Sequence, residues 1–375
     1  MVVAKYFKRN IDLTLAVIFA FVTGIFAPPS PFEIAERLNL PLLLLLIFLM
    51  CIVAGLRVSG FFSVVFEKFF HGYVKSGTLC RFFIFSCYFS SMLITNDVAL
   101  IVFVPLAIST LTELRRIRLI APTVVWQTIA ANLGSMLTPI GNPQNLFIYS
   151  RYNLNLGEFL TVTAPFVVIG GVLIYVGSRF ILNVRLKLSK RREKVLPRKK
   201  ILFLIALFAL CILHVLHIVD FWLLAIIVFP AIYVVDKKLF LLADYKLIFL
   251  FAALFVGVGN LSHIPFFQNI PQYVSGNVFI ISLLLSQIIS NVPATVLLAE
   301  FTNEYSPLLL GVNIGGLGTI IASMASVISF KAYVESRFCN PIHYLNIFTL
   351  YNVAILLVLL LYYYFQLNFT MFWYK

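Results

Sequence analysis

The chain has 375 residues, of which 62% are hydrophobic and 11% are charged, whereas soluble domains are about half apolar and about a quarter charged. This composition excludes an ordinary soluble fold, because several uncharged stretches exceed the roughly 18 residues needed to cross about 30 Å of hydrocarbon. The net charge of +14 does not indicate nucleic-acid binding, since the basic residues lie in short segments between apolar stretches.

Those basic segments predict the orientation of the apolar stretches, because cytoplasmic loops of membrane proteins concentrate Lys and Arg. They predict a cytoplasmic N-terminus and a C-terminus on the outer side of a bacterial or archaeal cytoplasmic (inner) membrane. The first apolar run, 11–27, is interpreted as a retained span, since Phe26-Ala27-Pro28 is a poor cleavage site for a signal peptide. The basic segments are 5–9, 115–118 and 185–200.

A polar tip, Thr95-Asn96-Asp97, interrupts the apolar stretch 79–111. Both ends of this stretch are expected on the cytoplasmic side, so it is predicted to be a re-entrant helical hairpin or a pair of closely linked helices. The next span, 121–150, contains two prolines and a glycine between 138 and 145. These residues must break the helix, because proline removes a backbone hydrogen bond. A closing span, 158–182, is expected to return to the cytoplasm.

The second half repeats the order hairpin, broken span and closing span. The stretch 277–301 has a polar tip at Ser290-Asn291, and the span 308–330 is rich in glycine. Because the flanks of this hairpin are expected outside, the two halves are predicted to be inverted repeats. The predicted division is 1–37 as an N-terminal span and linker, 38–182 as the first inverted repeat, 183–200 as a basic cytoplasmic loop, and 201–375 as the second inverted repeat with preceding scaffold helices.

The two broken spans share the pattern N-x-G-[SG]-x-x-T, at 132–138 and at 313–319. A broken helix exposes backbone groups at membrane depth, which is costly unless protein or an ion satisfies them. Oxygen ligands suit a hard cation such as Na⁺, and helix N-termini that point at a cavity favour an anion. The sequence therefore predicts an all-α polytopic membrane protein of two inverted repeats, each with a re-entrant helical hairpin and a broken transmembrane helix.

The predicted function is secondary active transport of a small anion or metalloid oxyanion, coupled to Na⁺ or H⁺. Na⁺ at the hairpin tips is one candidate for the coupling ion and H⁺ is the other, and no other metal or cofactor is expected. The expected partners are the lipid bilayer and the solute, and not nucleic acid. The predicted substrate- or ion-binding residues are Thr95, Asn96, Asp97, Asn132, Gly134, Thr138, Gly141, Asn142, Asn145, Ser290, Asn291, Asn313, Gly315 and Thr319.

Residues 132–145, Asn-Leu-Gly-Ser-Met-Leu-Thr-Pro-Ile-Gly-Asn-Pro-Gln-Asn, resemble the N-[IL]-G-[GS]-x-x-T-x-[IV]-G-[DN]-P-x-N motif of the ion transporter superfamily. That superfamily includes arsenite permeases, NhaD-type sodium/proton antiporters, citrate transporters and divalent anion/sodium symporters. The chain is most similar to a poorly characterised, citrate-transporter-like inner-membrane subgroup. The resemblance implies an elevator-like movement of a core against a scaffold, and it makes a homodimer an expected assembly.

Two residues depart from the patterns of better known branches. Asn142 stands where arsenite permeases usually have Asp, and Val292 follows Asn291 where the dicarboxylate symporters have Thr. The resemblance therefore implies the fold rather than one substrate. A Na⁺/H⁺ antiporter of the same fold is an open alternative.

Other function classes have weaker support in the sequence. The sequence contains no H-E-x-x-H or G-x-S-x-G motif for an intramembrane enzyme and no P-loop for ATP hydrolysis, although a separate ATPase subunit docking from the cytoplasm is an alternative. Asp97 is expected to bind Na⁺ or exchange protons, and the alternative is a helix cap. His214, His217 and Asp220 have a spacing that a zinc site could use, but an interfacial location is the favoured interpretation.

Overall fold

The computed structural model describes residues 11–62, 64, 72–188 and 198–373, and almost all of its elements are helices. Within these residues, four helices are long and apolar enough to cross a membrane, and the number rises to six when each of two bent helix pairs is counted as one span. The chain is an all-α polytopic membrane protein, as the composition predicts. The basic segment 5–9 lies outside the described residues.

The first half contains helices before, within and after the predicted hairpin and broken span. Asn39, in the left-handed region with φ 43°, caps the first long span by accepting a hydrogen bond from the amide of Leu42. The elements are α1 (Ile11–Phe26), α2 (Pro31–Arg37), α3 (Leu40–Val58), β1 (Gly72–Lys75), α4 (Ser76–Ser91), α5 (Asn96–Glu113), α6 (Ile120–Ser135), α7 (Pro143–Arg151) and α8 (Leu156–Ser178).

The second half begins with a short strand and scaffold helices, and then repeats the hairpin and the broken helix. Its elements are β2 (Arg185–Leu188), α9 (Arg198–Val215), α10 (Phe221–Asp236), α11 (Tyr245–Leu261), α12 (Ile270–Val274), α13 (Val278–Ile289), α14 (Asn291–Ala299), α15 (Tyr305–Ile314), α16 (Met324–Val334) and α17 (Pro341–Trp373). One-turn 3₁₀ helices at Pro139–Gly141 and Ile320–Ala322 lie inside the two breaks.

The predicted interruptions are present, but Asn96, Asp97 and Asn291 of the predicted tips already belong to the helices that follow. The hairpin stretch 79–111 is two helices separated at 92–95, and the second hairpin is interrupted at Ser290. The division of the chain into four segments, and the opposite orientation of the two halves in a membrane, stay predictions.

The predicted loop 183–200 contains a strand that the sequence did not indicate, because Arg185–Leu188 forms an antiparallel ribbon with Gly72–Lys75. The register pairs Lys75 with Arg185 and Val74 with Leu186. Four residues that alternate between polar and apolar are too few to predict a strand, and a two-stranded ribbon is only marginally stable unless it packs against other elements. Here Val74 and Leu186 pack against the buried cluster of the first hairpin.

The N-terminal span is attached to the scaffold rather than free. α1 packs along α11, where the Nζ atom of Lys246 lies 2.7 Å from the Oδ1 atom of Asp12. Asn260, which is almost fully buried, accepts a hydrogen bond from Arg37 at 2.7 Å. These contacts join α1, α2 and α11 into one side of the molecule, against which α7 packs by stacking Phe147 on Phe255.

Candidate functional site

The two broken helices meet through a pair of crossed hydrogen bonds between the halves of the chain. The Nδ2 atom of Asn142 donates to Oδ1 of Asn313 at 3.0 Å, and the hydroxyl of Ser323 donates to Oδ1 of Asn132 at 3.1 Å. Positions 132 and 313 differ by 181, and so do 142 and 323. Asn132 and Asn313, the asparagines of the shared motif, therefore each accept a hydrogen bond from the residue that caps the helix after the break in the other half.

Asn142 and Ser323 have the same local structure as well as the same contacts. Asn142 has φ −155° and caps α7 by accepting from the amide of Asn145, whereas Ser323 has φ −142° and caps α16 by accepting from the amide of Ala325. Asx and Ser side chains are preferred at this position because they satisfy the free amides of a helix start. The two breaks are thus equivalent in backbone and in capping.

Each hairpin is tied to the break of its own half by a threonine. The hydroxyl of Thr138 donates to the carbonyl of Met92, and the hydroxyl of Thr319 donates to the carbonyl of Gln287 at 3.1 Å. Positions 92 and 287 differ by 195, as do the first helical residues after each tip, 96 and 291. Between the two halves, the hairpin positions are therefore offset by 195 residues and the break positions by 181.

Glycine permits the close approach of each hairpin to its broken helix. A Cβ atom on Gly134 would overlap the carbonyl oxygen of Tyr88, and one on Gly315 would lie 2.9 Å from Cβ of Ser286. The structure therefore favours a packing role for these glycines rather than contact through a side chain. Gly141 and Gly316, two further glycines of the breaks, are also confined, because Gly141 lies against Ser135 and Gly316 lies against Asn291.

The backbone groups of the two breaks are satisfied by different residues. In the first break, Nδ2 of Asn145 donates to the carbonyls of Ser135 at 3.1 Å and Thr138 at 3.2 Å. In the second break, Nε2 of Gln287 donates to the carbonyls of Gly315 at 2.6 Å and Leu317 at 2.9 Å. Broken helices at membrane depth need such partners, and here the repeat is asymmetric.

The first hairpin tip combines one side chain that is tied to the first break with two that are not. Asn96 donates to Oδ1 of Asn132 at 3.2 Å, which ties the tip to the first break. Within the described residues, the partly buried carboxylate of Asp97 and the hydroxyl of Thr95 make no hydrogen bond. The structure therefore does not support the helix-cap interpretation of Asp97.

The second hairpin tip is strained. Ser290 has φ 74° and ψ 155°, a region that is occupied almost only by glycine and that costs about 1–3 kcal/mol for other residues. Its hydroxyl lies 3.4 Å from both Oδ1 of Asn291 and the carbonyl of Ala322. The tip thus contacts the second break but holds its backbone in an unfavourable conformation.

Comparison with known proteins assigns the chain to a family. Residues 2–309 match the citrate transporter family, CitMHS. The chain belongs to the citrate transporter family. The match contains the first hairpin, the first broken helix and the second hairpin, and ends before the 313–319 motif.

Two relatives of this citrate transporter family member are named as a transporter and as an inner membrane protein. The uncharacterized transporter MJ0456 of Methanocaldococcus jannaschii is 34% identical over 306 residues, which are 80% of this chain and 83% of the relative. The inner membrane protein YbiR of Escherichia coli is 27% identical over 356 residues, which are 92% of this chain and 91% of the relative. The chain is therefore a membrane transporter of this family and an integral membrane protein.

Most of the predicted site residues of this transporter converge in the structure. The crossed bonds and the glycine contacts bring together residues of both breaks and both tips, whereas Thr95 and Asp97 have no side-chain hydrogen bond to them within the described residues. Ser323 and Gln287 were not predicted from the sequence. Ser323 makes the contact equivalent to that of Asn142, and Gln287 takes the place of Asn145 at the second break. Extending the offset of 181 past Thr319 would have identified Ser323.

Ser326 is another residue that the sequence did not single out. It occupies the position equivalent to Asn145, again 181 residues later, and its hydroxyl is fully buried without a hydrogen-bond partner. Asn145, by contrast, accepts from Nδ2 of Asn313 at 2.7 Å and donates to the first break. The second break therefore holds a buried oxygen for which the described residues supply no hydrogen-bond partner.

Of two cavities in the described part of the molecule, the smaller is lined by the predicted site residue Thr95, and the larger is lined by other residues. A cavity of about 690 Å³ lies between α2, the end of α11, and the ends of α7 and α14, and it is lined by two ion pairs, Arg37 with Glu33 and Arg151 with Glu300. A crevice of about 10 Å³ lies between the first hairpin tip at Thr95 and helices α3 and α9. Its lining is almost entirely apolar, so the first tip rests on a nearly dry contact with these helices.

The histidine cluster does not have the arrangement of a zinc site. His214 contacts the carbonyl of Val219 at 2.8 Å through Nδ1, and Asp220 caps α10 by accepting from the amide of Trp222. The His217 ring stacks on Tyr149, with centroids 5.4 Å apart. Throughout the described ranges, no group of three His, Cys, Asp or Glu side chains is placed to hold a metal ion.

Proposed function

We propose that this transporter is a secondary active carrier that moves a small anion or metalloid oxyanion across the inner membrane, coupled to Na⁺ or H⁺, by elevator-like alternating access. The observation that carries the proposal is the crossed pair of hydrogen bonds, Asn142 to Asn313 and Ser323 to Asn132. It joins two unwound segments, one from each half of the chain. Such segments are stable in a membrane only where they line a cavity or are satisfied by protein.

The ends of four helices support an anionic solute. α5 and α14 begin at the hairpin tips, and α7 and α16 begin at the breaks. A helix N-terminus carries a partial positive charge and free amide groups, so four of them near one another favour a negative charge. The description of the family, citrate transporter, agrees with this chemistry.

Asp97 is the proposed residue for the coupling ion. Its carboxylate is partly buried at the first hairpin tip and has no hydrogen-bond partner within the described part of the chain, and the hydroxyl of Thr95 is free beside it. Ionisable side chains within membrane segments are costly and usually functional. A carboxylate and a hydroxyl are suitable ligands for Na⁺, and the carboxylate alone can take up a proton.

Elevator-like movement is supported by the nature of the contact between the first tip and the scaffold. The crevice beneath Thr95 is apolar, and within the described chain no hydrogen bond fixes Thr95 to α3 or α9. A core that slides past a scaffold breaks few directional contacts at such a surface. We propose the same inverted orientation of the halves that the basic segments predict, with the N-terminus in the cytoplasm and the C-terminus outside.

A thermal-shift screen of the purified protein tests the substrate class, because a ligand stabilises the state that it binds. Citrate, dicarboxylates, phosphate and arsenite are each compared with and without Na⁺, at neutral and at acidic pH. We expect one class of small anion to raise the melting temperature, and Na⁺ or acid to increase that effect. A complete lack of response to anions would contradict the anion proposal.

The free carboxylate of Asp97 also favours the second candidate, a Na⁺/H⁺ antiporter of the same fold. In that case, Na⁺ and pH would shift the melting temperature without any anion. Asp97→Asn keeps the shape of the side chain but removes its charge, and we expect it to abolish the dependence on Na⁺ or pH. Asp220→Asn is the matched control, since Asp220 is a helix cap and Asn caps equally well.

A further inference from the structure

The β-ribbon presents one face to the protein and the other to its surroundings. On the inner face, Val74 and Leu186 pack against the buried cluster of the first hairpin. On the outer face, Tyr73, Lys75 and Arg185 are exposed, with Tyr73 exposed over 77% of its surface. The ribbon is therefore amphipathic, with an aromatic and basic outer face.

The two cations of this face oppose each other, and no acidic residue in the described part of the chain compensates them. Lys75 and Arg185 are directly paired across the strands, and like charges in this position destabilise a ribbon. Neither side chain forms an ion pair with any residue that the structure describes, whereas Lys200 lies 3.6 Å from Asp236 and Lys246 pairs with Asp12. This arrangement calls for an anion from outside the chain.

The position of the ribbon identifies the source of that anion. β1 leads directly into α4, and β2 follows six residues after the end of α8, a helix apolar enough to cross a membrane. The hydroxyl of Ser76 fixes this connection by donating to the carbonyl of Leu182 at 2.7 Å and accepting from the amide of Val184 at 2.8 Å. The ribbon therefore lies at the level where a membrane span ends.

The connection itself carries large exposed apolar side chains. Phe180 is 84% exposed and Leu182 is 69% exposed, and they lie between the end of α8 and β2. Apolar and aromatic residues next to cations are typical of segments that lie in the interface of a membrane, where the apolar part enters the lipid and the charge meets the headgroups. A soluble anion would account for the cations but not for these two side chains.

We propose that the outer face of the ribbon, formed by Tyr73, Lys75 and Arg185 with Phe180 and Leu182 beside it, binds the headgroups of anionic phospholipids. The phosphate and its negative charge fit between Lys75 and Arg185, and Phe180 and Leu182 enter the acyl region. Basic residues next to a membrane span attract anionic lipids in this way. The bound lipid stabilises the junction between the first hairpin and α8.

The test measures lipid retention and thermal unfolding of the full chain with phosphatidylglycerol or phosphatidylcholine, using native mass spectrometry and a thermal-shift assay. The double variant K75Q/R185Q is compared with K237Q/K238Q, which removes two other exposed basic side chains. We expect phosphatidylglycerol to be retained and to raise the melting temperature of the wild type and of K237Q/K238Q. In K75Q/R185Q, we expect retention to fall by about fivefold for each charge removed.

Two controls distinguish lipid binding from a role of the two cations within the protein and from binding of a soluble anion. In phosphatidylcholine, K75Q/R185Q should be at least as stable as the wild type, because the like-charge pair is gone; a lower stability would show that the two side chains act within the protein. Inorganic phosphate, added in phosphatidylcholine, should not reproduce the stabilisation. If phosphate does reproduce it, or if both double variants respond alike to phosphatidylglycerol, the lipid proposal is wrong.

Discussion

Asn313→Ala should loosen the connection between the two broken helices. The change removes the bond from Nδ2 of Asn142 at 3.0 Å and the bond to Oδ1 of Asn145 at 2.7 Å. Hydrogen bonds between membrane helices contribute about 0.6 to 1.7 kcal/mol each, so the two are worth about 1–3 kcal/mol. Oδ1 of Asn145 would also be left buried without its partner, which costs about 1 kcal/mol or more. We expect a total loss of about 2–4 kcal/mol.

Asn352→Ala is the matched control, since Asn352 is equally buried in α17. Among the described residues, its Nδ2 atom donates only to the carbonyl of Phe348 in its own helix, and its Oδ1 atom has no partner. Thermal unfolding of both variants in detergent should therefore show a clear fall in melting temperature for Asn313→Ala and little change for Asn352→Ala. Equal melting temperatures for the two variants would refute the crossed contact.

Three further predictions concern the hairpins and the topology. Ser290→Gly should unfold at a higher temperature than Ser290→Ala, because glycine relieves the positive φ; the reverse order would show that the tip is not strained. Gly315→Ala should lower the free energy of unfolding by about 1–3 kcal/mol through overpacking, because the new Cβ atom would lie 2.6 Å from a backbone carbonyl oxygen. Gly24→Ala is the control and should not destabilise the protein, since its nearest contact would be at 3.4 Å. Cys339 is the exposed cysteine among five free thiols, and it lies on the cytoplasmic side in the proposed orientation. A membrane-impermeant maleimide should therefore label it in inverted vesicles only, and labelling in intact spheroplasts would contradict this orientation.

The interruptions of the membrane helices could be predicted from the sequence because they follow from local chemistry. Proline at 139 and 143 cannot continue a helical ladder, and the breaks lie there. The motif shared by 132–138 and 313–319 also indicated equivalent positions, and the structure places the two asparagines in equivalent contacts. Periodicity and spacing were sufficient for these features.

The contacts between the halves could not be predicted, because they depend on which side chains face each other after folding. The side chain of Gln287 donates hydrogen bonds to carbonyls of the second break, whereas Met92, at the equivalent position of the first half, has no side-chain donor. Ser326 lacks the amide that Asn145 uses, so its hydroxyl stays unpaired. Such asymmetry is a property of packing and leaves no periodic signal in the sequence.

The most direct test of the transport proposal is uptake of a radiolabelled small anion, beginning with citrate, by proteoliposomes that contain the purified protein. We expect saturable accumulation that requires an inward gradient of Na⁺ or H⁺ and that is lost in Asp97→Asn but not in Asp220→Asn. Flux that continues without an ion gradient and does not saturate would contradict it and would indicate a channel instead.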